Sequence, residues 1–549
     1  MKTIILLLTP LFALFTPFIA RAQQFDQWFA DSTLRLDYVF AGNATEQHIF
    51  FTQAHRSPRW AGRHSRLSET LLRGNGQISL RDHATGQLLF THSFSTLFQE
   101  WQATSEARLV DKAFETCYNV PMPHRPVDVT VTLLDFHSHV TATMTHTVDP
   151  ADILIRPTGA TDIPHFYVWK GTAATVPASP TPPRNSSRNF TPTSADPDAG
   201  VDITGCIDLA IVAEGYTQLQ MGKFYHDCQR VVDALFAHEP FSSLKHRFNV
   251  VAVASPSPEE GPSVPHQGHW RRTAAGTHYD TFYTTRYLMA QDMHHIYDLL
   301  DGVPFEHIIV LVNSSTYGGG GIYNQLNVAT SDHPTFHQVL VHEFGHGYAG
   351  LGDEYAYGDT PETMYPADTE PWEPNLTTLK DFKSKWADLL PKDTPIPTPV
   401  DPSVPDHRQL RTTKDSLLID AATQRVGVFE GGGYQTKGVY RPAQECRMKI
   451  NDPVKSAFSP EYRVFWGILK GSQPPWKSPQ NASQIFHLYP DERLKRSSHL
   501  FFLHPRSESL FLIWLVHLLL QRIYMPQSFR RPLPREYITH LKPSGRLLP

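Results

Sequence analysis

The segment that most restricts what this chain can fold into is residues 341–355, which contains the pattern H-E-x-x-H. On a helix, His342 and His346 are one turn apart and share a face, so both imidazoles can bind one metal ion. Glu343 follows the first histidine beside the same cleft, where its carboxylate can take a proton from an attacking water and pass it to a leaving amine. The pattern therefore predicts a metal-dependent hydrolytic site on a helix.

A catalytic metal site needs a third protein ligand and one position left open for water or substrate. Gly350 and Gly352 provide a helix end, because glycine accepts the left-handed conformation that commonly follows the last helical turn. The chain can then turn beneath the metal and present a carboxylate. We expect Asp353 to be the third ligand, with Glu354 as the alternative.

Composition and charge exclude several classes of function. The chain has 549 residues, 40% of them hydrophobic, and a formal net charge of -5, so it can form ordinary globular cores and has no electrostatic case for binding nucleic acid. Its four cysteines include no C-x-x-C pair and are too few for a disulfide scaffold. Cys206 could bridge to Cys228, or Cys446 could bridge to either one. Free, buried thiols at all of these positions and at Cys117 are the equal alternative.

The first residues have the features of an export signal. Lys2 supplies a basic end, residues 4–19 are largely apolar, and residues 20–22 (ARA) match a small-x-small cleavage site. Two prolines within the apolar run favour cleavage over a membrane anchor. We therefore expect residues 1–22 to be a signal peptide of an exported protein (secreted, periplasmic or at the cell surface), with no membrane span after its removal.

Residues 23–160 have the pattern of a β domain. Short alternating or apolar runs recur along this region with glycine turns between them, at residues 36–40, 77–81, 88–92, 127–133 and 139–148. Several short strands joined by turns predict a β-sandwich. Residues 161–204 follow, and their richness in Pro, Ser, Thr and Asn predicts a linker.

Strands and helices then alternate. Residues 206–216 and 307–313 are apolar runs typical of buried strands, while residues 219–236 and 281–300 have helical spacing. This alternation predicts an α/β domain over residues 205–471, and hence an α+β multidomain chain.

Residues 472–549 form an atypical C-terminal extension. Gly545 is its only glycine, and the apolar run at residues 510–520 is short for a membrane span. No fold is predicted for this extension.

Three further features lie near the metal helix in the sequence. Residues 317–324 (YGGGGIYN) lack the Lys-Ser/Thr of a phosphate loop, so we expect an exposed edge strand to which a peptide substrate can add, with a flexible turn as the alternative. Met448 is a candidate for an apolar floor beneath the metal. Tyr434 and Tyr440 have phenols that could stabilise an oxyanion, with structural packing as the alternative.

Residues 206–448 resemble the catalytic domain of peptidase family M64, the IgA-peptidase-type metallopeptidases. The resemblance is carried by DLAIVAEGY at 208–216, YGGGGIYN at 317–324, the run 342–355, YRP at 440–442 and CRM at 446–448. Residues 25–157, which include FSTLFQEW at 94–101, look like the N-terminal β domain of that family.

The resemblance implies a zinc endopeptidase with a metzincin-like fold, two histidine ligands, an acidic third ligand, a glutamate base and a methionine turn. Here His342, His346, Asp353, Glu343 and Met448 occupy those positions. The spacing from His346 to Asp353 is one residue longer than in the usual H-E-x-x-H-x-x-G-x-x-H/D pattern. Family resemblance does not imply that IgA is the substrate.

We therefore expect an exported Zn²⁺-dependent endopeptidase that hydrolyses peptide bonds in proteins or glycoproteins, with Glu343 as general base. Two other functions are open. A non-catalytic surface protein could bind glycan or protein and keep a structural zinc, although such a site gains nothing from Glu343. A metal-dependent amidase could act on cell-wall peptides, although the expected edge strand favours protein substrates.

Overall fold

The computed structural model describes residues 25–159, 163–172, 198, 200–357, 364–404 and 425–450. The predicted signal peptide (1–22), the C-terminal extension (472–549) and most of the predicted linker (161–204) lie outside the described residues. In the parts of the chain that are described, no helix is both long enough and apolar enough to cross a membrane.

The N-terminal domain consists mainly of two four-stranded sheets. One has the order β5-β1-β2-β8, with strands at Lys112–Pro123, Phe29–Gly42, Gln47–Pro58 and Arg156–Pro157. The other has the order β4-β3-β6-β7, with strands at Leu88–Phe94, Gly76–Asp82, Val127–Leu134 and Val140–Val148. Their inward-facing residues share one hydrophobic core, which the short helices α1 (Phe25–Trp28) and α2 (Leu97–Gln102) join. The predicted strand-rich N-terminal domain of an α+β chain is confirmed.

A six-stranded mixed sheet forms the centre of the second half. Its order is β13-β14-β12-β10-β11-β9, with strands at Gly319–Ile322, Leu326–Thr330, His307–Val312, Ile207–Glu214, Phe248–Val253 and His165–Trp169. The four inner strands are parallel, whereas β13 and β9 pair antiparallel with their neighbours at the two ends. Strand β9 falls within the segment predicted as a linker, so ordered structure begins before residue 205.

Helices cover both faces of this sheet. Helices α3 (Met221–Phe236) and α6 (Phe336–Ala349) share a core with one face, and α5 (Met293–Leu299) shares a core with the other. Burial on both faces explains the continuous apolar runs of these parallel strands. The core on the α5 side also contains Leu97 and Cys117, so the N-terminal domain packs against that side of the sheet.

The remaining elements are short. Helix α4 (Phe241–Leu244) follows α3, and strands β15 (Phe429–Gly432) and β16 (Gln435–Arg441) form an antiparallel pair. All four cysteines are buried thiols outside any disulfide, so the thiol alternative is confirmed.

The predicted helix over residues 219–236 is confirmed as α3, but the one predicted over residues 281–300 is wrong in its first half. Phe282 and Tyr283 have positive φ values of 52° and 61°, which an α-helix does not accept. Tyr287 instead pairs with Gly319 through an isolated β-bridge. The apolar spacing of this stretch reflects packing against the sheet edge rather than a helix.

Candidate metal centre

Helix α6 carries His342 and His346 one turn apart, with Glu343 between them, and ends at Gly350. Gly350 has a φ of 63°, and its N–H donates to the carbonyl oxygen of His346 over 2.9 Å. The N–H of Leu351 donates to the carbonyl oxygen of Gly345 over 3.1 Å. These two hydrogen bonds form the usual end of a helix that is terminated by glycine. A Cβ at Gly350 would lie 2.5 Å from Leu72, so this position requires glycine for space as well as for conformation. The turn directs the following residues back beneath the helix.

Three side-chain atoms converge at this turn. Nε2 of His342 lies 3.0 Å from Nε2 of His346 and 3.0 Å from Oδ1 of Asp353, and Nε2 of His346 lies 3.2 Å from the same oxygen. Tetrahedral zinc with bonds of about 2.0–2.1 Å separates its ligand atoms by about 3.3 Å. The three atoms are therefore spaced as the ligands of one small metal ion would be.

The other ring nitrogens face main-chain carbonyls. Nδ1 of His342 lies 2.9 Å from the carbonyl oxygen of Arg447, and Nδ1 of His346 lies 2.5 Å from that of Leu351. A nitrogen that faces a carbonyl oxygen must carry the proton, so Nε2 of each ring is the nitrogen that can offer a lone pair to a metal ion. Carbonyl contacts of this kind orient histidine ligands in metal sites. Two such nitrogens and a carboxylate oxygen directed at one point are held together by a shared positive charge, which a metal ion or a proton can supply.

Asp353 is buried and has unequal oxygens. Oδ2 accepts a hydrogen bond from the phenol of Tyr434 over 2.5 Å, whereas Oδ1 has no donor among the described residues apart from the two imidazoles. Burial alone would raise the pKa of Asp353, but the adjacent imidazoles of His346 and His342 outweigh it and hold that pKa well below its usual range. Asp353 is thus an ionised carboxylate with one free oxygen directed at the histidines.

The charge of the cluster also favours a cation. Burial lowers the pKa of His346, but the carboxylates of Asp353 and Glu343 outweigh it and raise that pKa to about 9. The donor set of two imidazoles and one carboxylate, His342, His346 and Asp353, is one that Zn²⁺ accepts. The residues present therefore fit a zinc ion.

Glu354, the alternative third ligand, is directed elsewhere. Its Oε2 accepts from the thiol of Cys446 over 2.9 Å, and its Oε1 accepts from the amide of Asn375 over 3.0 Å. Its N–H donates to the carbonyl oxygen of Met448 over 2.9 Å. Glu354 thus joins the turn beneath α6 to the segment around Met448, and the structure brings Asp353 to the histidines instead.

Two family models match the chain. The model described as IgA Peptidase M64 matches residues 198–459, and the model described as Peptidase M64 N-terminus matches residues 24–145. The chain belongs to peptidase family M64. Among curated proteins, no match to the chain was found. Membership of M64 makes the chain a peptidase and points to a metallopeptidase, which agrees with the cluster on α6.

The glycines that mark the M64 resemblance are explained by close packing. A Cβ at Gly319 would lie 2.8 Å from Oε1 of Glu343, and a Cβ at Gly321 would lie 2.4 Å from the carbonyl oxygen of Glu343. On the opposite face, a Cβ at Gly320 would lie 2.2 Å from Sδ of Met289. Strand β13 is the edge strand predicted here, but it is partly buried and bridged by Tyr287, so its free edge is narrower than expected.

Glu343 is buried beside this strand on the same helix as the two histidines. Burial raises the pKa of Glu343, as suits a carboxyl that exchanges a proton during a reaction cycle. Met448 is buried in the core that contains α6, and its carbonyl oxygen anchors Glu354. Tyr434 contacts Asp353, whereas Tyr440 lies in β16 and pairs with Thr377.

Sequence reasoning missed several aromatic and charged neighbours of the cluster. The ring of Tyr355 stacks on His342 at 6.4 Å, and the guanidinium of Arg286 lies over the rings of Tyr355 and Tyr357 at 5.8 and 5.3 Å. Tyr355 adjoins the metal motif and could have been found from it. Arg286 is 60 residues upstream of His346 in a stretch with no motif, so only the fold reveals it.

Proposed function

We propose that this M64 member is an exported zinc-dependent endopeptidase that hydrolyses peptide bonds in proteins or glycoproteins. The observation that carries the proposal is the convergence of His342, His346 and Asp353, with 3.0–3.2 Å between ligand atoms and with each Nδ1 held by a carbonyl. Family membership supports a peptidase. The metzincin-like character of the domain belongs to the same proposal, on the strength of the helix, the glycine turn and Met448.

A zinc ion bound there would supply a Lewis acid that polarises the scissile carbonyl and lowers the pKa of water to about 7. Glu343 takes the proton of the attacking water on its carboxylate and later donates it to the leaving nitrogen. The imidazoles of His342 and His346 both act electrostatically on its carboxylate, which supports this role. Asp353 contributes negative charge, and the hydrogen bond from the phenol of Tyr434 to Oδ2 holds its carboxylate in place.

The test compares wild type with Glu343→Ala, using casein as substrate and elemental analysis for zinc. We expect both proteins to bind one zinc ion, and the variant to lose about 100- to 10,000-fold in rate, because its general base is absent. Equal casein cleavage by both proteins would remove Glu343 from the mechanism. Stoichiometric zinc without cleavage by either protein would favour the alternative of a non-catalytic glycan- or protein-binding module.

Export rests on residues 1–22, whose basic, apolar and small-residue segments follow the signal-peptide pattern. Expression in a secreting host, followed by N-terminal sequencing of the protein outside the cytoplasm, tests this part separately. We expect the mature chain to begin at Gln23. Retention of residues 1–22 on a cytoplasmic product would contradict export.

A further inference from the structure

A pocket lies between the N-terminal domain and the peptidase domain. Its cavity volume is about 100 Å³, and it is partly open to solvent. Its walls come from both domains and include Asn75, Gln99, Glu100, Glu370, Trp372 and Glu373.

The pocket adjoins the metal centre on two sides. A Cβ at Gly352, the residue before Asp353, would lie 3.2 Å from Cγ of Glu373. Glu100 accepts a hydrogen bond from the phenol of Tyr287, and Tyr287 bridges to the strand that packs on Glu343. The pocket therefore lies next to the loop that presents Asp353 and next to the strand that packs on Glu343.

The lining has acidic groups and no basic ones in the part that the structure describes. It contains four carboxyl side chains, those of Glu100, Asp135, Glu370 and Glu373, and no Lys, Arg or His. The nearby ammonium of Lys385 donates to the main-chain carbonyls of Pro371 and Glu373 rather than to a carboxylate. Asp135 has the imidazole of His139 at 3.6 Å. No ion pair within the described residues involves the other three carboxyl groups, those of Glu100, Glu370 and Glu373.

Several buried acceptor oxygens of the lining also lack donors. Glu373 is only 8% exposed; its Oε1 accepts from the phenol of Tyr365 over 3.2 Å, but its Oε2 has no partner among the described residues. The same holds for Oδ1 of Asn75 and Oε1 of Glu370. A buried acceptor without a donor loses its hydration and gains nothing in return. A cation with several N–H donors that enters the pocket would offer these oxygens the donors that they lack.

The protonation of the carboxyls agrees with this geometry. Burial raises the pKa of Glu100 to about 7, although the phenol of Tyr287 works against it. Burial likewise raises the pKa of Glu373 to about 7. An ammonium or guanidinium within a few ångström favours the ionised form and would offset the effect of burial.

We propose that this interdomain pocket binds a lysine or arginine side chain of the substrate, next to the bond that is cleaved. The inference rests on the proposed peptidase function and names its specificity. The N-terminal domain contributes to it through Glu100 and Asn75, so the two domains form one substrate site.

The test uses pairs of internally quenched peptides that differ at one position near the scissile bond, with lysine in one peptide and norleucine in the other. We expect kcat/KM to be at least about tenfold higher for the lysine peptide at one such position, because a site built around buried acceptors rejects an analogue that lacks the donors. Glu373→Gln should reduce that ratio to less than about threefold. Glu259→Gln removes an exposed carboxylate outside the pocket and should keep the wild-type ratio.

A lysine-to-norleucine ratio near one at every position in the wild type would overturn the proposal, as would an unchanged ratio in Glu373→Gln. Thermal melts check that the variant is folded, and Glu370→Gln serves if it is not. A second experiment does not depend on catalysis. Ligand-observed NMR measures the binding of two probes, Nα-acetyl-lysine methylamide and its norleucine analogue. If the protein cleaves no peptide but binds the lysine probe more tightly than the norleucine probe, only the proposed peptidase function is contradicted. Equal binding of both probes contradicts the proposal that the pocket binds a basic side chain.

Discussion

At the level of single residues, the candidate centre depends on which atom each polar group faces. In both His342 and His346, Nδ1 faces a main-chain carbonyl oxygen and Nε2 is directed at the point where the ligand atoms converge. The two oxygens of Asp353 differ in the same way: Oδ2 accepts from the phenol of Tyr434, and Oδ1 faces the two imidazoles. The neighbours that orient these donors therefore contribute to metal affinity as well as the donors themselves.

Removal of the Tyr434 phenol tests this point. Tyr434→Phe keeps the ring but leaves Asp353 without the hydrogen bond to Oδ2, so we expect zinc affinity to fall about 10- to 100-fold. Competition with a chromophoric chelator measures it. Tyr440→Phe removes a phenol from β16 and is the matched control, with wild-type affinity expected. Wild-type affinity in Tyr434→Phe would show that the phenol does not orient Asp353.

At the level of elements, the centre depends on close contact between β13 and α6. Glycines at 319 and 321 face the helix, and a glycine at 320 faces Met289. Side chains at these positions would push the strand away from the face that holds Glu343. The glycine run is therefore a packing requirement of the metal helix.

Gly321→Ala should test this requirement. Its methyl group would lie 2.4 Å from the carbonyl oxygen of Glu343 and 2.9 Å from Cβ of His346, both on rigid helix. We expect a loss of about 1–3 kcal/mol in the free energy of unfolding, together with lower peptidase activity. Gly222→Ala in α3 meets no atom within 4 Å and should be neutral or stabilising by up to about 1 kcal/mol. Urea denaturation compares the two, and equal stability of both variants would contradict the packing account.

The elements also show how far sequence reasoning extends. The H-E-x-x-H helix, its glycine end and the buried strands carry local patterns, and each lies where it was predicted. Asp353 and Glu354 are adjacent in sequence and chemically alike, so only the path of the chain beyond Gly350 distinguishes them. Glu100 lies 243 residues before Glu343, and nothing local indicates that they share a site. The failed helix over residues 281–292 has the same cause, since tertiary packing overrides its apolar spacing.

At the level of the whole molecule, a buried ion pair joins the N-terminal domain to α5. The guanidinium of Arg35 contacts both oxygens of Asp37 over 2.7 and 2.9 Å, and it reaches Asp298 and the carbonyl oxygen of His294 over 2.6 and 2.9 Å. Cys117 and His294 lie close enough to Asp37 to suggest a second metal site. Arg35 already supplies the positive charge there, so we assign this cluster to domain packing.

Asp37→Ala would leave the guanidinium of Arg35 buried with its main partner gone. We expect a loss of about 3–5 kcal/mol in unfolding free energy, because an uncompensated buried charge is strongly destabilising. Asp298→Ala removes the other carboxylate, whose side chain is 54% exposed, and should cost less than about 1 kcal/mol. Urea unfolding of both variants provides the comparison, and similar losses would show that burial does not govern this pair.

The carboxylate of Asp37 should also make the stability of the protein depend on pH. Burial would raise the pKa of Asp37, but the imidazole of His55 at 3.5 Å and the hydrogen bonds from Arg35 outweigh it and lower that pKa below the value of about 3.9 expected in the unfolded chain. A group whose pKa is lowered on folding stabilises the protein fully above its unfolded pKa and loses this contribution as the pH falls. The unfolding free energy of wild type should therefore fall more steeply below about pH 4 than that of Asp37→Asn. Parallel curves for the two proteins would remove Asp37 as the cause.

The most direct test of the central claim is anomalous diffraction at the zinc edge from crystals of the mature protein. The account predicts one strong peak at about 2.0–2.2 Å from Nε2 of His342, Nε2 of His346 and Oδ1 of Asp353. A crystal of metal-replete protein with no peak between these three atoms, or with the metal bound to Glu354 instead, would contradict it.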